Sequence, residues 1–401
     1  MLLSLYIHIP FCMKKCNYCD FLSFSCDEQK RDAYIQALLM EIRSYRGTEL
    51  SGREIGTIYI GGGTPSICKG SDIARILEEI KTTFNFIKED VEISMECNPG
   101  TGSREDFLAC KKAGVNRVSI GLQATDNRLL QYLGRIHTYE QFLSTYRLWQ
   151  EVGVDNINID LMAALPGQSP EEYENGLHKI IELNPSHISS YGLMIEPGTP
   201  FYKYYVTDPE DLTEADYEKK GYLPLAKEEL QVKMYEMTQR ILTENGFNRY
   251  EISNYAKEGR ECQHNLVYWN RGDYLGLGLG ASSLYKNRRV KNKCDLDAYI
   301  ATFTGGEIQP RCFAEEIEEI DEKGQMEEFM FLGLRLTKGV SRQRFKQTFG
   351  MDMTEVYGDV IDKFIRQNLL AWKWENQEEY LAFTPEGMIV SDYVLPDFMF
   401  E

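Results

Sequence analysis

Strand-like and helix-like stretches alternate through the first half of the chain, and this alternation limits the fold more than any other feature. Leu2–Ile9, Thr57–Ile60, Val91–Cys97, Arg117–Leu122, Asn156–Met162 and His187–Met194 are short runs with the β-branched and apolar character of buried strands. Helical patterns at Glu28–Tyr45, Asp72–Phe84, Arg104–Ala113, Tyr139–Glu151 and Pro170–Leu183 separate them. Strands that alternate with helices pair in parallel, because each must return by a crossover, and that crossover is right-handed. A complete or partial barrel and an open doubly wound sheet both satisfy the pattern. In either, reactive residues collect at the C-terminal strand ends. Those ends read Ile9-Pro10-Phe11-Cys12, Gly61-Gly62-Gly63-Thr64, Glu96-Cys97-Asn98-Pro99, Gly121-Leu122-Gln123 and Asp160-Leu161-Met162. They are polar, glycine-rich and cysteine-bearing, so the candidate site lies there.

The chain has 401 residues, room for roughly two or three folded units. A charged segment, Thr207–Lys220, leads to a long helix over Ala226–Asn245, closed by Gly246. Tyr250–Tyr285, rich in Gly, Asn and aromatics, is expected to be irregular. Helical patterns at Gln325–Leu336, Ser341–Phe349 and Thr354–Gln367 then precede a hairpin of Leu369–Trp374 and Tyr380–Phe383. That order is winged-helix-like. Its wing tip carries Glu375, Glu378 and Glu379 and no cation, which suits a docking or lid module and not a DNA reader. The expected division is a barrel over 1–250, an irregular connecting segment over 251–320 and a winged-helix-like α+β module over 321–401.

Lys and Arg number 44 against 62 Asp and Glu, a net charge of −18, and no basic stretch is set aside for phosphates. Nucleic acid is disfavoured as a partner. No run of 18 apolar residues occurs, and MLLSLYIHIPFC lacks the basic leader and small-residue cleavage site of a signal peptide. A cytoplasmic location follows as the expectation.

Ten cysteines in such a compartment are not disulfide staples, and they are unevenly spread. Cys12, Cys16, Cys19 and Cys26 crowd together, with Cys12, Cys16 and Cys19 forming a C-x3-C-x2-C triplet directly after the first strand. Three thiolates on one short loop can hold three irons of a [4Fe–4S] cube and leave the fourth iron open. The alternative is zinc, with Cys26 closing a tetrahedron. The triplet's place at the mouth of a β/α array favours the cube.

The run Tyr6-Ile7-His8-Ile9-Pro10-Phe11-Cys12-x3-Cys16-x-Tyr18-Cys19 resembles the radical S-adenosylmethionine (SAM) superfamily. More narrowly it is similar to the HemN/HemW group, which holds the oxygen-independent coproporphyrinogen III dehydrogenase and the heme chaperones. The similarity extends over nearly the whole chain. It implies a partial (β/α)6 TIM-like barrel and SAM chelated to the open iron. It also implies a 5′-deoxyadenosyl radical formed when one electron cleaves the S–C5′ bond.

Gly61-Gly62-Gly63-Thr64-Pro65-Ser66 lacks the Lys and Ser/Thr of a nucleotide-triphosphate loop. The resemblance implies that Gly62, Gly63 and Thr64 lie at SAM, with Glu96, Gln123, Arg135 and Asp160 as contacting carboxylates, amide and guanidinium, and Tyr6 and Tyr18 packed nearby. Read singly, each of these is a solvated polar residue or a turn. The glycines of Leu275–Ser283 do not follow the dinucleotide spacing and read as close backbone packing near the barrel rim.

Two places bear on the activity. Where the dehydrogenase typically carries a further cysteine, two residues past the triplet, this chain has Phe21. His264-Asn265-Leu266-Val267-Tyr268-Trp269 matches the chaperone branch's H-N-x-x-Y-W signature, and imidazole is a common heme ligand. His264 is therefore the expected heme ligand and Cys262 its alternative, while His8 reads as structural or near the cluster. The leading expectation is a heme-binding transfer protein with heme as cargo. An apo-hemoprotein would accept it, any membrane contact running through that partner, and an electron donor would serve the cluster. The alternatives are an enzyme acting on coproporphyrinogen III or another tetrapyrrole, and a family member that holds its cluster only structurally.

Overall fold

Six parallel strands run side by side in chain order through the computed structural model, which describes residues 2–86, 91–207, 216, 219–305 and 308–400. They are β1 (Leu3–Ile9), β2 (Glu54–Gly62, with the two-residue β3, Asn85–Phe86, beside it), β4 (Glu92–Cys97), β5 (Arg117–Gln123), β6 (Asn156–Ala163) and β7 (His187–Gly192). The connecting helices are α1 (Glu28–Ser44), α2 (Gly70–Thr83), α3 (Arg104–Ala113), the short α4 (Asn127–Tyr132), α5 (Tyr139–Glu151) and α6 (Pro170–Ile181). Ser103 with Asp106, Thr138 with Gln141 and Ser169 with Glu172 close reciprocal caps at the starts of α3, α5 and α6. Each such cap is worth about 1 kcal/mol and fixes where a helix leaves its strand.

The sheet stays open, as a partial (β/α)6 barrel requires: β7 pairs with no strand that returns to β1. Strand alternation explains its two faces. Leu3, Leu5, Ile7 and Ile9 of β1 are wholly buried among the apolar core residues of α1 and α2. Ser4, Tyr6 and His8 take the other face, where Thr57, Tyr59, Ser94, Arg117, Ser119, Asn158, Asp160 and His187 follow from neighbouring strands. The barrel interior is thus polar, and it is hydrogen-bonded throughout. His187 Nδ1 meets Asn158 Oδ1 at 2.6 Å, and Asn158 Nδ2 donates to Asp160 and Ser119 at 2.7 Å each.

The expectation of irregular chain over Tyr250–Tyr285 is corrected. After the two-residue β8 (Asn248–Arg249), that stretch contains β9 (Asn254–Ala256), a helix over Gln263–Trp269, β10 (Tyr274–Leu277) and β11 (Ser282–Tyr285). β10 pairs in parallel with β1 as a seventh parallel strand. Its four residues are too few to show a period, and β1 supplies the edge that orders them. β11, β12 (Arg288–Asn292) and β13 (Ala314–Glu319) extend that edge antiparallel, and β9 covers the other edge on β7. Buried Glu41 of α1 fastens the addition: its carboxylate accepts from Gly278 N–H (2.6 Å), Asn292 Nδ2 (2.9 Å) and Tyr299 Oη (2.6 Å). The charged segment Thr207–Lys220 lies largely outside the described residues, and the long helix spans Glu228–Glu244.

Towards the C-terminus, helices at Glu322–Gly333, Arg342–Phe349 and Met353–Arg366 pack with a three-stranded sheet, β14 (Val340–Ser341), β15 (Leu370–Glu375) and β16 (Glu378–Phe383). Met330, Phe345, Met353, Phe364, Leu381 and Phe398 form their shared core. The hairpin is tighter than expected. Its turn is only Asn376 and Gln377, both at positive φ (50° and 65°), the geometry that matches strand twist.

Candidate functional site

The loop after β1 returns on itself. Cys12 N–H donates to Phe24 O (3.0 Å) and Phe24 N–H to Pro10 O (2.8 Å), so the triplet hangs from a closed base. Asn17 pins its far side, with N–H to Leu133 O (2.9 Å), Nδ2 to Tyr132 O (2.8 Å) and its own carbonyl accepting from Phe201 N–H (2.9 Å). Sequence reasoning passed over Asn17, since an Asn between two cysteines reads only as a turn residue. His8 holds Leu22 O through Nε2 (3.0 Å), while its Nδ1 meets Tyr6 Oη (3.0 Å).

A cavity of about 390 Å³ opens above this loop at the C-terminal strand ends. Cys12, Cys16, Tyr18, Cys19, Gly62, Gly63, Thr64, Glu96, Gln123, Arg135 and Asp160 all line it. Gly62 has φ +116°, and a Cβ there would strike the His8 ring at 2.5 Å; its N–H donates to Glu96 Oε2 (2.9 Å). A Cβ on Gly63 would meet the Phe11 carbonyl oxygen at 2.6 Å, so glycine lets β2 approach the cysteine loop. Thr64 Oγ1 lies 3.4 Å from Cys12 Sγ and accepts from Asn98 Nδ2 (2.7 Å). Asn98 Oδ1 in turn accepts from Arg135 Nη2 (2.7 Å), which also reaches Gly121 O (2.6 Å). Arg135 Nη1 points at Cys16 Sγ (3.6 Å). Asn98 therefore ties two predicted residues together, and as part of an Asn-Pro strand end it carried no signal beyond a turn.

Gln123 enters the cavity by a local irregularity. The register of β5 on β6 shifts between Gly121 and Gln123, and Gln123 sits at φ +74°, sparsely populated for a side-chain-bearing residue. Tyr191 Oη holds its Oε1 at 3.0 Å. Burial pushes the Glu96 carboxyl up to about 7, with nearby Asp160 adding to the rise, while Gly62 N–H and Tyr59 Oη (3.0 Å) oppose it. Asp160 is likewise raised by burial, despite donors from Asn158 (2.7 Å) and Ser119 (3.0 Å). The Cys19 thiol is pushed up to about 11, chiefly by burial.

Other expected residues lie elsewhere. Tyr6 faces the barrel interior and is not among the residues lining the cavity. Cys26 lines a separate hollow with Lys30, Cys294 and Asp297, so the triplet does not share its cavity with a fourth thiol. His264 sits near the opposite end of the barrel, where the helix Gln263–Trp269 closes the interior. Glu92 of β4 receives the first two N–H groups of that helix (3.0 and 3.2 Å). His264 is buried, stacked on Tyr59 (5.2 Å between ring centres), with Nδ1 on Thr57 Oγ1 (2.7 Å) and Nε2 on Tyr268 Oη (2.9 Å). Thr57 spends its proton on Ser4 Oγ (2.9 Å), so Nδ1 carries the imidazole hydrogen and Nε2 accepts from Tyr268. Both nitrogens are thus engaged in the fold, and burial pushes the ring down to about 3. Cys262 beside it is buried, its thiol pushed up to about 12 by burial. Neither residue faces the cavity.

The donor set fits the groups that the sequence implies. Three thiols share one cavity wall, and thiolates are the ligands of iron–sulfur cubes. Arg135 Nε is buried without a partner, an orphan suited to an anionic group. Glu96 and Asp160 are buried carboxylates held partly neutral by desolvation, and a ligand bearing ammonium and sulfonium charges would relieve them.

Comparison with known proteins gives consistent results. The Radical SAM superfamily profile matches residues 6–180, and the HemN C-terminal domain profile matches residues 320–390. The heme chaperone HemW of Lactococcus lactis is 35% identical over 399 residues, covering 99% of this chain and 97% of that protein. The Escherichia coli heme chaperone HemW is 35% identical over 402 residues, covering 100% and 98%. Among solved structures, coproporphyrinogen III oxidase (HemN) from Escherichia coli superposes with TM-score 0.80 at 21% identity, covering 99% of this chain and 90% of that one, a likeness of fold.

Proposed function

The chain belongs to the radical SAM family of heme chaperones, and from that membership we propose that it binds a [4Fe–4S] cluster, SAM and heme, and passes the heme to apo-hemoproteins. The observation that carries the reading is the convergence of three cysteines, one half-orphaned arginine and two buried carboxylates on one cavity at the C-terminal strand ends. Cys12, Cys16 and Cys19 would hold the cluster. Gly62, Gly63 and Thr64, with Tyr18, Glu96, Gln123, Arg135 and Asp160, would hold SAM. When bound, the cluster supplies a one-electron centre with one iron open to SAM.

This chain's own residues do the positioning. Asn98 fixes Thr64 against Arg135, and Asn17 fixes the loop between the second and third cysteines. Arg135 keeps a positive charge beside Cys16, which favours thiolate over thiol. Glu96 and Asp160 supply the negative wall opposite. Phe21, where the dehydrogenase branch typically has a further cysteine, stands exposed at the cavity. It supports transfer over oxidative decarboxylation.

The protein would work in the cytoplasm, receive electrons from a donor protein, and meet a hemoprotein acceptor, with any membrane contact made through that acceptor. Among the described residues no helix is long and apolar enough to cross a membrane. The test is heme titration followed by transfer to candidate apo-proteins, with and without the cluster. Transfer that restores a Soret-active acceptor is expected. Repeated turnover of coproporphyrinogen III to protoporphyrinogen, under anaerobic conditions with reductant and SAM, would replace the chaperone reading by the enzymatic one.

A further inference from the structure

Large apolar side chains that stay exposed gather at one place. Met13 (57%), Phe21 (61%), Ile136 (52%) and Met194 (70%) all line the cavity over the cysteine triplet. They come from three separate segments: the cysteine loop, the turn following Arg135, and the stretch after β7. Scattered exposed apolar residues are ordinary, but a collar of them round a polar cavity marks a place where something apolar is covered. Two of the four are methionines, whose flexible thioethers adapt to a ligand and can also bind iron. Lys14 and Lys15 stand exposed in the same rim, with no ion pair among the described residues. The rim's acids are Asp20 and Glu196.

We infer that heme docks across this mouth, its macrocycle against Met13, Phe21, Ile136 and Met194, with the thioether of Met13 or Met194 as an axial ligand. The inference rests on the heme-binding reading above and adds where the cargo sits. Heme is a flat apolar disc with an iron at its centre and two carboxylates on one edge. The collar offers apolar area for the face, a thioether for the iron and the Lys14–Lys15 pair for the carboxylates. On a chain of net charge −18, a paired cationic edge beside an apolar ring selects such a ligand over a purely apolar one. His264 offers a poorer site in this fold: its Nε2 lone pair accepts from Tyr268, and the barrel closes around it.

The test is heme titration into cluster-reconstituted protein, read by difference absorbance and magnetic circular dichroism. Wild type should show thioether ligation. Met13→Ala/Met194→Ala should lose that signature and weaken binding about tenfold or more, and Lys14→Glu/Lys15→Glu should weaken it several-fold. Met194→His or Met13→His should convert the spectrum to imidazole ligation, a gain that a damaged fold would not produce. His264→Gln, checked for native circular dichroism, should bind within about twofold of wild type. The proposal is overturned by an unchanged affinity and spectrum in all the methionine variants. It is equally overturned if His264→Gln, still folded, loses the iron signature. A wild-type protein that dimerises through this face whatever the heme concentration, measured by sedimentation, assigns the collar to a second copy instead. If wild type binds no heme at all, the heme reading itself fails.

Discussion

Replacing Gly63 by alanine tests whether the seat of the cysteine loop is set by backbone contact with β2. The added Cβ would stand 2.6 Å from the carbonyl oxygen of Phe11, 2.8 Å from its nitrogen and 2.9 Å from its carbonyl carbon. Close-packed protein atoms tolerate no approach much under about 3.2 Å, so the two segments must part by roughly 0.5 Å. Neither yields freely, because Gly63 N–H is bonded to Ile9 O at 2.9 Å and Cys12 N–H to Phe24 O at 3.0 Å. The strain therefore falls on Cys12, next to Phe11, and on Thr64, next to Gly63. Overpacking of this kind costs about 1–3 kcal/mol, which lowers Tm by roughly 2–6 °C in a chain this long. A shift of ~0.5 Å also equals the tolerance of a preorganised ligand set. Iron and labile sulfide per chain after anaerobic reconstitution should fall well below wild type, with lower Tm measured on the same samples. Gly52→Ala is the control, since no atom lies within 4 Å of the added Cβ and its φ is ordinary. A Gly63→Ala protein with wild-type iron content and wild-type Tm would refute the reasoning.

Glu41→Ala should destabilise the protein by about 3 kcal/mol or more, because three buried donors lose their acceptor at once; urea unfolding measures it, and a change under ~1 kcal/mol contradicts the assignment. Glu96 titrates at about 7 in the folded protein, above its unfolded value of about 4.5. Its contribution to stability is therefore fully present below pH ~4.5 and lost as pH rises through about 7, a span of about 3 kcal/mol. Glu96→Gln should flatten the Tm profile between roughly pH 5 and 8, and an unaltered profile would show that another group governs that range. Arg135→Lys removes the fork that bridges Asn98, Gly121 and Cys16, and lysine cannot make all three bonds; SAM affinity by calorimetry should fall about tenfold, and equal affinity would exclude Arg135 from the site.

The parallel core was legible because each of its strands is a β-branched run long enough to be recognised, with Leu3–Ile9 of β1 the clearest case. The cysteine seat and most of the residues around it were legible for a related reason: they stand at the C-terminal ends of those strands, where chain order alone brings them together. What escaped depends on contacts distant in sequence. β10 is ordered by β1, more than 260 residues earlier. Asn17 and Asn98 act only through Tyr132, Leu133, Thr64 and Arg135, and nothing local distinguishes them from turn asparagines. The bulge that turns Gln123 inward has no sequence mark beyond the adjoining glycine. Tyr6 marks the converse limit, since the resemblance set it at SAM whereas the alternation of β1 directs it to the interior below the cavity.

The H-N-x-x-Y-W helix and the cysteine cavity lie at opposite ends of one polar interior, and a short series of contacts joins them. His264 stacks on Tyr59, Tyr59 Oη donates to Glu96 Oε1 at 3.0 Å, and Glu96 Oε2 accepts from Gly62 N–H at 2.9 Å. Tyr59 is held between the His264 ring and Tyr6, so its hydroxyl cannot leave Glu96 without disturbing the plug. Glu96 in turn holds the glycine turn that abuts the cysteine loop. A buried polar interior of this kind is stable only when every member keeps its partner. His264 is placed to meet that condition: as a neutral imidazole it donates at one nitrogen and accepts at the other, between Thr57 and Tyr268. An apolar residue of similar size would leave Thr57 and Tyr268 unpaired inside the barrel and free Tyr59 to tilt. The signature histidine thus acts on the cavity by positioning, through Tyr59 and Glu96, while its own lone pair stays inside the fold.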